Sequence, residues 1–192
     1  MSQQNTNTAN AQQVRTVTTV DHGKLDLKAL TLYAILLAAG FVLNLTVSKF
    51  FSGLTGGFLS PEFIIAAFCL EILIIKPNIG QAAVIGLLAG VVIQITASVK
   101  GPDLIAEPVA AVVMALLVSA FAESKAKGLL PLVGTFVVTF ISGIIYAVIF
   151  SFLIMKNPAF VGVMAPVVAA TGVANAIIVA ALHLPIKKAL KL

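Results

Sequence analysis

The sequence predicts an all-α membrane protein, a bundle of six transmembrane helices with the N- and C-termini both cytoplasmic. Three observations lead there. Of its 192 residues, 60% are hydrophobic and 10% charged, with a mean hydropathy of +1.11; an ordinary soluble domain is about 45–50% apolar and about 25% charged. The apolar residues are gathered into runs close to the roughly 20 residues that cross a hydrocarbon core about 30 Å thick. The basic residues fall between those runs, so the net charge of +5 reports topology and not a nucleic-acid surface.

Residues 1–26 read as a flexible polar tail, because MSQQNTNTANAQQVRTVTTVDHGK is rich in Gln, Asn and Thr and has too little apolar surface to fold alone. It also lacks the apolar stretch of a signal peptide. Residues 27–192 form the six-helix domain. Its spans are expected at Ala29 to Ser48, Ile79 to Val99, Asp103 to Ala122, Leu130 to Met155 and Phe160 to Leu184, with a shorter run of 14 residues from Glu62 to Ile75. Charge decides whether the short run crosses, since cytoplasmic loops collect Lys and Arg. With six crossings the 12 basic residues divide 9:3, leaving only Lys49, Lys100 and Lys156 outside; with five they divide 5:7. Six crossings therefore fit.

This topology gathers polar residues at the outer face. The junction VKGPDLIAEP places Lys100, Asp103 and Glu107 beside runs that carry almost no charge. Asp103 follows Pro102, where an acid can simply favour a helix N-terminus. Glu107 lies a full turn deeper on the same face, and an acid inside a membrane is a functional candidate by default. Glu62 opens the short run behind Pro61. Gln94, Tyr146, Thr171 and Asn175 lie within later spans, where a polar side chain either contacts a ligand or joins two helices. In KFFSGLTGGFLSP, Phe50, Phe51 and Phe58 sit among three glycines, which reads either as an interfacial anchor or as a mobile lid over a flat ligand. Glu71, near the inner end of the short run, is expected to meet a neutralising partner such as Lys76 or to snorkel towards the interface.

Small residues recur four apart at Ala34 and Ala38 and at Gly86 and Gly90, a spacing that lets helices approach closely. Together with the six runs, the Gly/Phe-rich first outer loop and KGPDLIAE, the chain resembles the substrate-binding membrane subunit (S-component) of energy-coupling-factor transporters over about residues 27 to 190. SPEF from Ser60, LEILIIKP from Leu70 and the Gly86/Gly90 pair look most like the tryptophan-type branch. The resemblance implies a pocket open to the outside that captures tryptophan, a vitamin or a similar micronutrient, with Glu107 and Asn175 in it. It further implies that Ala34 and Ala38 dock onto a membrane coupling protein driven by two cytoplasmic ATPases, in the plasma membrane of a prokaryote. At Ala106, Glu107 and Pro108 the chain departs from that branch's more basic junction, so the substrate stays open.

Other classes fit less well. There is no G-x-x-x-x-G-K-[ST] phosphate cradle, so ATP would be hydrolysed by partners and the chain itself needs no cofactor. No catalytic residue or metal site is expected. The two histidines, His22 and His183, lie in the tail and at the inner end of the last span, away from Ser142 and from any acidic cluster. Lone Cys69 reads as a core side chain. The alternative is a stand-alone proton- or ion-coupled carrier with Glu107 or Glu71 as its proton site.

Overall fold

The computed structural model describes residues 25–190, and these contain no β-strand. They form helices α1 (Leu27–Leu54), α2 (Phe63–Ile75), α3 (Ile79–Thr96), α4 (Asp103–Ala120), α5 (Lys125–Ile154) and α6 (Phe160–Ala189). Five are long and apolar enough to cross a membrane; α2 is shorter. Most of the expected polar tail lies outside the described residues. The first helix begins where a cap is available, Asp26 Oδ1 accepting from the Ala29 N–H at 2.9 Å.

Consecutive helices run antiparallel. Gly40 of α1 lies against Phe63 and Ile64 at the start of α2, Gly90 of α3 against Asp103 at the start of α4, and Gly143 of α5 against Val168 of α6. Sharp signals separate them. Lys76 ends α2 in a left-handed conformation (φ 53°). Two residues later Asn78 starts α3 with a reciprocal capping box to Gln81.

The short α2 is the axis of the bundle. It packs against all five other helices, and ten of its 13 residues are buried, as expected of a helix that is apolar on every side. Phe68, Ile64 and Ile72 have no exposed surface, and neither does Met114 of α4. At about 1.5 Å per residue α2 is about 20 Å long, less than a hydrocarbon core. The other helices turn large apolar side chains outward: Ile35, Ile95, Leu153, Val163 and Ile177 are all exposed. Apolar surface of that extent suits a membrane protein.

The ends of α1 and α6 differ from the sequence expectation. α1 does not stop at Ser48 but passes through a π-helical turn, Asn44–Ser48, and continues to Leu54. Phe50 and Phe51 therefore lie on the helix and only Phe58 on the loop. α5 likewise passes through a π turn, Phe150–Ile154. A π turn inserts one residue without ending the helix, and local composition does not announce it. α6 runs on through Pro185 to Ala189, beyond the expected Leu184; a proline removes one helical hydrogen bond and need not break a membrane helix.

Glu71 also differs from expectation. It is fully buried on α2, and neither carboxylate oxygen has a hydrogen-bond partner among the described residues. Lys76 cannot serve it. Five residues is about 140° around a helix of 3.6 residues per turn, and Lys76 is already outside the helix and exposed.

Candidate functional site

A cavity of about 330 Å³ opens at the end of the bundle that carries the α1–α2, α3–α4 and α5–α6 connections. Its walls include Glu62 before α2, Asp103 and Glu107 of α4, Ser142 and Tyr146 of α5, and Thr171 of α6. A cavity of roughly 300–1,000 Å³ is the usual size for small-molecule sites. Apolar side chains, among them Ile65, Ile93, Met164 and Val168, fill in between the polar ones.

Glycine spacing puts the α4 carboxylates there. Gly86 and Gly90 let α3 lie directly on the α4 backbone at Glu107, Pro108 and Asp103. Asp103 and Glu107, one turn apart, then share the face turned to the cavity. Glu107 is 1% exposed. Its Oε1 accepts from the Ser142 hydroxyl at 2.8 Å, while its Oε2 has no partner. Buried polar atoms are nearly always hydrogen-bonded; this oxygen, on a residue that lines the cavity, has no such bond among the described residues.

Glu62 is held by two asparagines. Asn44, in the π turn of α1, donates from Nδ2 to Glu62 Oε2 at 2.9 Å and accepts the Phe63 N–H at 2.7 Å through Oδ1. Asn175 of α6 accepts the Glu62 N–H at 2.9 Å, and its Nδ2 donates to the Glu62 carbonyl at 3.2 Å and to Thr139 Oγ1 at 3.3 Å. Ser48 and Ser60 hydroxyls meet at 3.0 Å, and Thr171 Oγ1 donates to the Ser60 carbonyl at 3.3 Å. These side chains satisfy backbone groups at the start of α2 that no helix supplies. We expect Asn175→Ala to lower stability by about 1–3 kcal/mol, the cost of leaving such donors unpaired. Thermal unfolding of the detergent-solubilised protein measures it, and an unchanged midpoint would remove Asn175 from this role.

Of the residues singled out in the sequence, Glu62, Asp103, Glu107, Tyr146 and Thr171 line one cavity. Gln94, Lys100 and Asn175 do not. Gln94 holds the α3–α4 turn: its Oε1 accepts the N–H of Gly101, which adopts φ +110°, its Nε2 lies 3.5 Å from Asp103 Oδ2, and its carbonyl accepts from the Lys100 ammonium. Phe50, Phe51 and Phe58 are exposed outside the cavity, Phe50 and Phe51 meeting edge to face at 5.8 Å. Ala34 and Ala38 are exposed on one outer strip of α1, whereas Gly86 and Gly90 are buried between helices.

Sequence reasoning passed over Asn44, Ser48, Ser60 and Thr139, and it considered Ser142 only as a nucleophile. Their one signal is a polar side chain in or beside an apolar run, which joining two helices would produce equally well. Among the described residues, no group of three or more His, Cys, Asp or Glu side chains is placed to hold a metal ion. The arrangement is suited to reversible capture: carboxylates and hydroxyls to orient a polar group, apolar walls and the Tyr146 ring for the rest. Compared with protein-family models, curated proteins and solved structures, the chain finds no match in any of the three.

Proposed function

We propose that this chain is the substrate-binding membrane subunit of an energy-coupling-factor importer, capturing a small micronutrient outside the cell and handing it to partner subunits that hydrolyse ATP. The observation that carries the reading is the cavity at one end of the bundle, lined by Glu107, one of whose buried oxygens has no partner among the described residues. Beneath it, Phe68, Met114 and Val138 are fully buried, which favours a receptor over an open channel. The charge distribution favours six crossings with both ends cytoplasmic. Because the helices alternate, Lys28, Lys76, Lys125, Lys127, Lys187 and Lys188 lie towards the end opposite the cavity, and Lys49, Lys100 and Lys156 towards the cavity end. On this reading the cavity faces outward, and Ala34 and Ala38 are the docking strip for the coupling protein.

Glu71 favours a second reading. A fully buried carboxylate without a partner is what a proton-coupled carrier would place on its path. Uptake of labelled tryptophan and of a vitamin panel, in cells expressing this chain with and without the coupling protein and ATPases, separates the two. Uptake only with the partners supports the importer; equal uptake by the chain alone, lost in Glu71→Gln, would replace it with the carrier.

A further inference from the structure

We infer that the ligand presents a cationic nitrogen to this cavity, held by Glu107 together with Asp103 and Glu62. This rests on the binding function proposed above and names the chemistry of what is bound. Three carboxylates line one cavity, and the groups that contact them are neutral: Ser142 on Glu107, Asn44 on Glu62 and Gln94 near Asp103. Among the described residues, the one basic side chain in the lining is Lys49, which is exposed.

A carboxylate buried in a low-dielectric site needs a compensating partner. Among the described residues, Glu107 has a hydrogen bond on one oxygen and no partner on the other, although it is 1% exposed. A ligand N–H carrying positive charge supplies both the missing donor and the missing charge. An anionic ligand would meet carboxylates at close range, the kind of juxtaposition by which sites reject a partner. The rest of the wall points to an organic ion. Ile65, Ile93, Met164 and Val168 offer apolar surface, Tyr146 offers a ring on which a cation is attracted, and the described residues hold no metal-ligating cluster.

The test is the identity of the ligand. Full-length protein, purified in mild detergent from cells grown in rich medium, is denatured and the released small molecules are identified by mass spectrometry, with Glu107→Gln treated in parallel. Gln keeps an acceptor for Ser142 but turns an N–H donor and no charge to the cavity. The expected result is one compound carrying an amine, amidine or quaternary nitrogen, with occupancy of the variant reduced by about a hundredfold in affinity, typical of removing one partner of a buried charge pair. A ligand that is neutral, or anionic without a cationic centre, would overturn the inference and leave the binding function standing. No ligand in any preparation, including those supplemented with the vitamin and amino-acid panel, would overturn the binding function and the inference with it. The ligand is identified on the unaltered chain, so the test holds even if the variant fails to fold.

Discussion

Gly86→Ala is expected to lower the unfolding midpoint and ligand capture together, while Gly80→Ala, the same change on the same helix, leaves both intact or raises stability. At Gly86 an added Cβ would collide with the Glu107 carbonyl oxygen and come within 2.7 Å of Pro108 Cα and Ala111 Cβ. Two of those atoms are backbone and have no rotamer to escape into, so α3 and α4 must separate. Overpacking of this kind costs about 1–3 kcal/mol, and here the displaced segment carries Glu107 itself. At Gly80 the nearest atom would be Asn78 Oδ1 at 3.5 Å, an ordinary contact. There the only effect left is the backbone entropy of glycine in a helix, worth roughly 0.5–1 kcal/mol in favour of Ala. Thermal unfolding and ligand occupancy measured on both variants check this. Equal behaviour of the two would mean that α3 and α4 are not in close backbone contact.

What the sequence disclosed depends on how far each residue's role is determined by its own chemistry. A carboxylate in an apolar run is expensive wherever it points, so Asp103 and Glu107 stood out before any geometry was known, and both line the cavity. Amides carry donor and acceptor alike and can serve a ligand or a backbone with equal ease. Gln94 and Asn175 therefore looked the same as a ligand contact from sequence, yet their bonds go to Gly101 and to Glu62. The long helices were legible because run length and hydrocarbon thickness are both simple numbers. The π turn at Asn44–Ser48 was not, since local composition does not announce it; Asn44 there reaches the start of α2 across 18 residues of chain. The small-residue pairs show the same limit. Gly86/Gly90 and Ala34/Ala38 share a spacing, but one is buried and the other exposed.

That exposure gives the second large effect. On the importer reading proposed above, replacing Ala34 and Ala38 together by Trp is expected to abolish coupled uptake while leaving fold and ligand occupancy unchanged. Positions four apart lie one above the other on a helix, and both alanines point away from the bundle, so two indoles there disturb no internal packing. Substitutions on such a surface usually change stability by less than about 0.5 kcal/mol. A partner helix seated against the strip would instead meet two large rings where it needs a shallow groove. Loss of even 1.4 kcal/mol at that contact weakens docking about tenfold, and the larger steric conflict expected from two rings should leave uptake at background. The measurements are ligand occupancy of the purified chain and uptake in cells that also express the coupling protein and ATPases. Normal uptake by the double variant would remove Ala34 and Ala38 from the docking surface. Loss of occupancy along with uptake would show that the strip supports the cavity and not the partner.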